Sequence, residues 1–301
     1  MVATSPISIG TRKSALALIQ AEQVAHALGV PYQIVPIISS GDQIPGPLRD
    51  HGGKCLFTKE IDLALLSGEI DLAVHSMKDV ETPLPDGLEI AAVPSREDPR
   101  DVLIYHCNLS FDAITKVGTS SLRRARQLTL HYPNMIILPC RGNIQTRLQK
   151  FTQGQYDGLV LAAAGLKRLG MLEDGSIKGI EAQVQLLDVD NFVPAPGQGA
   201  LVVLKRKGDA RFDAALEIIN HEESFFAIKI ERAVVDALNL TCHDPVGVYA
   251  TVTGATFTLS LQLFSQGSEL IQKSLKGNLE NIDYLLKSFI DEVRLPELPK
   301  T

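Results

Sequence analysis

The sequence predicts an α/β protein in which two lobes of alternating strands and helices are followed by a smaller α+β unit. Short β-rich runs alternate with helical patterns through the first two thirds of the 301 residues, as in sheets that carry helices on their faces. A Pro-rich junction, PSREDPRD, divides this alternation in two. From Asp209 the order changes to helix, strands and helix, the pattern of a separate α+β unit. A chain of this length also exceeds most single domains.

In the first lobe ISIG is followed by the helical SALALIQAEQVAHAL, then YQIVPII, the helical IDLALLSG, DLAVHS and LEIAAV. Beyond the junction, DVLIY, KVGTSSLRRARQLTL, NMIILP with NIQTRLQKF, and DGLVLAAAGLKRLG continue the alternation, which predicts parallel sheets. NFVPAPGQGALVVLKRK returns to a strand after prolines and glycine-bounded turns, and is expected to lead back to the first lobe. FDAALEIINHEESFFAIKIERAVVDALNL reads as one long helical stretch, VGVYATVTGATFTLSLQLFS as alternating strands and IDYLLKSFIDEV as the last helix.

Composition narrows the function. The apolar share of 45% and charged share of 21% are those of a globular protein, and no apolar run approaches the ~20 residues of a membrane span. The N-terminal MVATSPISIGTRKSALAL lacks the features of a signal peptide, so a cytoplasmic protein is expected. Cys55, Cys107, Cys140 and Cys242 form no Cys-x-x-Cys pair and the seven histidines no His-x-x-x-His pair, so free thiols and no metal centre are expected.

A net charge of −6 disfavours a nucleic-acid partner. Its distribution is uneven: Ala113 to Tyr156 contains no acid but carries Lys116, Arg123, Arg124, Arg126, Arg141, Arg147 and Lys150, seven basic residues that leave the remainder at −13. An anion site is expected there.

One arrangement occurs three times, in IGTRKSALAL, VGTSSLRRARQL and PCRGNIQTRL: a strand end, a polar turn and a helix opening beside arginine. Helix N-terminal amides attract anions and guanidinium adds a bidentate grip. Each motif alone is also an ordinary cap; together they point to a ligand with several negative charges, held at strand C-termini facing one cleft. DLAVHSMKDV sets His75, Ser76, Lys78 and Asp79 at a strand end, where a carboxylate can stabilise a cation formed in a reaction, or can merely cap a helix. GGKCLFTKE is either a glycine-hinged lid or a turn into the next helix. Cys242 lies between a helical pattern and a strand, and a lone loop cysteine is usually inert.

HSMKDV, EDPRDVL, VGTSSLRRARQL, RGNIQTRL, LAAAGLKRLG, PGQGA, and ERAV followed by Cys242 and Pro-x-Gly, in that order over about residues 7 to 250, resemble the porphobilinogen deaminase family. The resemblance implies two lobes like periplasmic binding proteins and a third, smaller domain: residues 1–95 with 193–212, residues 96–192, and residues 213–301. It also implies a transferase, hydroxymethylbilane synthase, that condenses four porphobilinogens head to tail on a covalent dipyrromethane cofactor and releases hydroxymethylbilane by hydrolysis, in haem biosynthesis. Cys242 would hold that cofactor through a thioether, with Lys78, Asp79, Ser121, Arg123 and Arg124 binding it. Asp79 would be catalytic, helping ammonia leave, stabilising the azafulvene cation and assisting proton loss. Arg12, Ser14, Lys54, Arg100, Arg141, Arg147, Arg168 and Gln198 would bind the substrate's acetate and propionate groups or lie beside them. A monomer without nucleic-acid or membrane partners is expected.

Two positions depart from the family's pattern. Leu240 and Thr241 stand before Cys242 where the family has Gly-Gly, and Glu81 stands where it has Pro. If the attachment loop takes a positive φ at 241, a β-branched Thr is strained there by ~1 to 2 kcal/mol. Competing readings are a two-lobed binder of an anionic metabolite, which needs neither Asp79 nor Cys242, a degenerate deaminase that cannot load its cofactor, and nucleic-acid binding, which the acidic remainder opposes.

Overall fold

The computed structural model describes residues 6–43, 57–241, 243–265 and 270–294. Lys54, Cys55, Cys242 and most of the expected lid GGKCLFTKE lie outside the described residues. The chain opens with β1 (Ile7–Arg12), α1 (Ala15–Leu28), β2 (Tyr32–Ile37), α2 (Ser40–Gln43), α3 (Lys59–Ser67), β3 (Leu72–Ser76) and β4 (Leu88–Ala92). It continues through β5 (Asp101–His106), β6 (Lys116–Gly118), α4 (Leu122–His131), β7 (Ile136–Leu138), α5 (Ile144–Thr152), β8 (Gly158–Ala162) and α6 (Ala163–Arg168). Then come β9 (Leu172–Glu173), β10 (Ser176–Ile177), β11 (Ala182–Leu186), β12 (Leu201–Arg206), α7 (Asp213–Ile219), α8 (Glu222–Ala237), β13 (Val246–Thr253), β14 (Thr256–Phe264), β15 (Leu270–Asn278) and α9 (Ile282–Arg294).

Contacts divide the chain into two compact units, residues 1–96 with 200–229 and residues 97–199 with 230–301. The first unit holds a five-stranded sheet of order β2-β1-β3-β12-β4. Alternation sorts its side chains: Leu72 and Val74 face one core with Ala21, Val24 and Leu28 of α1, while Ala73 packs in a second with Ile61 and Leu65 of α3. Helix α1 lies on the sheet because its small and apolar residues recur at helical spacing. It starts on Ser14, whose side chain accepts from Ala17 N–H, and ends on Gly29 in the left-handed region. Leu216 and Ile219 of α7 join the first core.

The second unit holds a five-stranded sheet of order β11-β5-β8-β6-β7 and a three-stranded antiparallel sheet, β13-β14-β15. Helix α9 buries Leu286, Phe289, Ile290 and Val293.

Mixed α/β architecture is as the sequence predicts, and NFVPAPGQGALVVLKRK does return as β12 of the first sheet. Neither sheet is purely parallel, however. β12 runs against β3 and β4, and β5 against β8 and β11. These are the strands that follow the connections from one unit to the other, so no local βαβ crossover constrains their direction. The long helical stretch after Phe212 is two helices. At the break Asn220 accepts the Val93 N–H through its side chain and His221 N–H donates to the Val93 carbonyl, so the backbone pairs with the end of β4 instead of continuing the helix. β9, β10, β11 and β15 lie in segments the sequence reading left without an element; LIQKSLKGN of β15 is mostly polar and gains its partner only from β14.

Candidate active site

In the first unit β1 and β3 run parallel, so their C-terminal ends lie at one edge of the sheet. β3 ends at Ser76 and passes into a single 3-10 turn, Met77–Asp79, closed by Val80 N–H to the Met77 carbonyl at 3.1 Å. Met77 N–H is held by the Ala200 carbonyl at 3.0 Å. This turn carries Lys78, exposed, and Asp79, half-buried. Arg12, at the end of β1, brings Nη1 to 3.8 Å from Asp79 Oδ2 and lies 4.3 Å over the Phe57 ring. Ser14 caps α1 beside it. Arg12, Ser14, Phe57, Ser76, Lys78 and Asp79 help line one small cavity of about 80 Å³. The structure thus brings together Arg12, Ser14, Lys78 and Asp79.

The second unit gathers another set around Asp101, the fully buried first residue of β5. Its Oδ2 accepts from Arg123 Nη1 at 2.7 Å, and its Oδ1 from Arg124 Nε and Nη2 at 3.1 and 2.8 Å and from Gln198 Nε2 at 2.8 Å. Burial alone would raise the carboxyl's pKa; the two guanidinium groups outweigh it and hold the group far below the usual carboxylate range. Arg123 Nη1 also reaches Gln127 Oε1 and the Val193 carbonyl, and Arg124 Nη1 the Val160 carbonyl. Ser121 caps α4, accepting from Arg124 N–H at 3.4 Å. Gln198 is aimed by a turn that requires glycine: Gly199 has φ +88°, and a Cβ there would lie 2.3 Å from the Glu97 carbonyl oxygen.

Arg123 and Arg124 are 4% and 6% exposed, with both guanidiniums turned onto Asp101. The acid-free stretch is acid-free only along the chain, because Asp101 enters from before it and Asp157, bonded to Thr115 and Lys116, from after it. Two guanidiniums on one carboxylate still leave a surplus positive charge in the core, and Arg123 Nε has no hydrogen-bond partner among the described residues. Burial pulls the Arg123 pKa down, with Asp101 opposing.

The remaining predicted residues divide. Arg100 forks onto Asp98, with Nε to Oδ1 at 2.9 Å and Nη2 to Oδ2 at 2.8 Å. Burial works against ionisation of Asp98, but bonds from Arg100 and Lys167 prevail and bring its pKa to about 2. Arg168 Nη2 donates to the Gly199 carbonyl at 2.8 Å, and burial lowers its pKa. Arg147, in α5, donates from Nε to the Gly142 carbonyl on the loop before it, and on that loop Arg141 Nη1 is buried with no hydrogen-bond partner among the described residues.

Sequence reading missed Asp101 and Gln127. Asp101 lies inside EDPRDVL, but nothing local tells that its partners are 22 and 23 residues on. The loop before the attachment position does not meet the condition under which Thr241 would be strained. Among the described residues the non-glycine positive φ values belong to Asp174 and Asn239, so Thr241 carries no left-handed strain. Asn239, a residue that tolerates φ of 52°, ends the turn after α8. Thr241 instead donates both N–H and hydroxyl to Asp244 Oδ2, at 2.6 and 2.8 Å.

A family model described as porphobilinogen deaminase, dipyromethane cofactor binding domain, matches residues 7–214. Porphobilinogen deaminase of Syntrophotalea carbinolica is 43% identical over 91% of this chain and 88% of its own length. That of Chromobacterium violaceum is 42% identical over 93% and 91%. Among solved structures, an arginine transport system periplasmic binding protein from Legionella pneumophila aligns with a TM-score of 0.40 at 16% identity, over 72% of this chain and 91% of that one; membership rests on the family model and the sequence relatives. With that model spanning most of the chain and these relatives nearly all of it, the chain belongs to the porphobilinogen deaminase family.

Proposed function

We propose that this chain is a hydroxymethylbilane synthase, joining four porphobilinogens head to tail and releasing the linear product by hydrolysis. The observation that carries this reading is Asp79, presented by a tight turn at the end of a sheet strand and facing Arg12 from 3.8 Å. That separation is longer than a charge-assisted hydrogen bond, and the carboxylate is 32% exposed, so it can also face a cationic group of the substrate. Each porphobilinogen loses ammonia from its protonated aminomethyl group and leaves a cation, and the ring it joins loses a proton. A fixed carboxylate serves both steps, stabilising the cation and accepting the proton. At about 4 Å and an effective dielectric of ~20 this is worth ~4 kcal/mol, or roughly a thousandfold in rate.

The residues present suit a cofactor that carries carboxylates. The surplus charge of Arg123 and Arg124 and the N-terminus of α4 favour anions, and Lys78, Asp79 and Ser121 would complete its binding, with Cys242 holding it by a thioether. When bound, the dipyrromethane supplies a nucleophilic pyrrole ring as primer. Arg12, Ser14, Lys54, Arg141, Arg147 and Arg168 would pair with acetate and propionate groups. Arg100, already forked on Asp98, acts with its neighbour Lys167 as a local charge network, and Gln198 acts through Asp101. Residues 1–95 with 193–212, 96–192 and 213–301 would be the three domains. We place the protein in the cytosol as a monomer; no helix of the described residues is long and apolar enough to cross a membrane.

Steady-state rates test the central residue. Asp79→Asn should lose condensation nearly completely with the fold intact, and Asp79→Glu, which keeps the charge but moves it, should retain more. Turnover near the wild-type level in Asp79→Asn would overturn the role.

A further inference from the structure

The strand end that presents Asp79 is gripped from both faces of the sheet by polar side chains that the proposed chemistry does not use. On the α1 face, Ser76 and Gln20 exchange a hydrogen bond at 3.0 Å. On the α3 face, His75 turns Nε2 toward Asp62 Oδ1 at 3.5 Å. Both side chains of that second pair are more than nine-tenths buried, and neither of these two atoms has a hydrogen-bond partner among the described residues. A buried carboxylate and imidazole so poorly bonded cost more than a packed apolar pair would, so fold stability does not account for them. His75 also lines the cavity that Asp79 lines.

We propose that Asp62 and His75 are positioning residues for Asp79: together with Gln20 and Ser76 they clamp the end of β3 and fix the Met77–Asp79 turn. His75 is paired in the sheet with Val202, and the next amide but one, Met77 N–H, is held by the Ala200 carbonyl. A rotation of the strand about its axis, which apolar packing would permit, is opposed by the Gln20–Ser76 hydrogen bonds on one face and by the buried polar pair of His75 and Asp62 on the other, which such a rotation would pull apart. The carboxylate three residues further on would swing by more than the strand end itself. This inference rests on Asp79 acting in the reaction.

The test replaces the pair by apolar residues of about the same combined volume, Asp62→Ala with His75→Leu, and compares it with the amide pair Asp62→Asn with His75→Gln. In the apolar pair we expect an unchanged or higher Tm, faster hydrogen exchange at the Met77 and Val80 amides, and a kcat lowered roughly ten- to a hundredfold with KM little changed. The amide pair should recover part of kcat. An apolar pair that folds, keeps wild-type amide protection and turns over normally would overturn the proposal. Should the apolar pair fail to fold, the amide pair is measured in the wild-type and Asp79→Glu backgrounds. A smaller loss in Asp79→Glu, where the carboxylate is already displaced, supports positioning, and an equal loss in both overturns it. Asp79→Asn measured alongside separates the two failures: normal turnover there defeats the reading of Asp79 itself, whereas its loss beside an unaffected apolar pair defeats the clamp alone.

Discussion

Asp101 shows what a buried charge does to predictions made from the chain alone. Arg123 and Arg124 stand out in the sequence as free cations, yet their guanidiniums share one carboxylate with no solvent contact. Removing that carboxylate strands two cations in the core, so Asp101→Asn should cost about 3–5 kcal/mol near neutral pH. The pH dependence follows from the depressed carboxyl. Its stabilisation is present above the unfolded pKa of ~3.9 and is lost as pH falls toward the lower folded value. Thermal unfolding from pH 8 to pH 3 should therefore show a gap between wild type and Asp101→Asn that is constant above about pH 5 and narrows below about pH 4. A gap that stays the same in acid would contradict this. Arg123→Ala should likewise lose stability as well as chain growth. Arg141→Ala, partly exposed on the loop before α5, should cost under ~0.5 kcal/mol yet disturb the ladder of enzyme-bound intermediates seen by mass spectrometry. Equal stability losses in the two variants would refute the distinction. Arg12 and Asp79, by contrast, were legible as strand-end residues, since parallel neighbours bring such ends together.

At the scale of elements, the legible ones were those with a strong local period or clear turn signals: α1, α3 to α6, α9, the strands of the two five-stranded sheets up to β8, and β12. Each of the three repeated motifs opens its helix on a side-chain cap, Ser14, Ser121 and Asn143, each accepting an N–H from the helix's first turn. What local pattern did not carry was strand direction, which long connections set, and the break at Asn220, whose competing partner Val93 is 127 residues away. The turn after α8 makes the same point. A β-branched residue before the attachment position would be strained only at positive φ, and the left-handed residue is Asn239 while Thr241 is tied to Asp244. Thr241→Gly therefore removes a hydroxyl bond and adds chain freedom. It is expected to lower cofactor occupancy, read as the loaded fraction in an intact mass spectrum; higher occupancy in the variant would mean that the native loop is strained after all.

At the scale of the molecule, two candidate groups emerge, one around Asp79 and one around Asp101, each assembled within its own unit. Both are built at the ends of strands by residues from separate stretches of chain, which is why the sequence showed the parts more readily than their pairings. The central expectation is that a carboxylate-rich dipyrromethane is anchored at Cys242, and intact mass of the purified protein tests that most directly. Wild-type protein should carry a dipyrromethane-sized increment that Cys242→Ser loses and that Cys55→Ser, Cys107→Ser and Cys140→Ser keep. Wild-type protein without an adduct, even after incubation with porphobilinogen, would contradict the account.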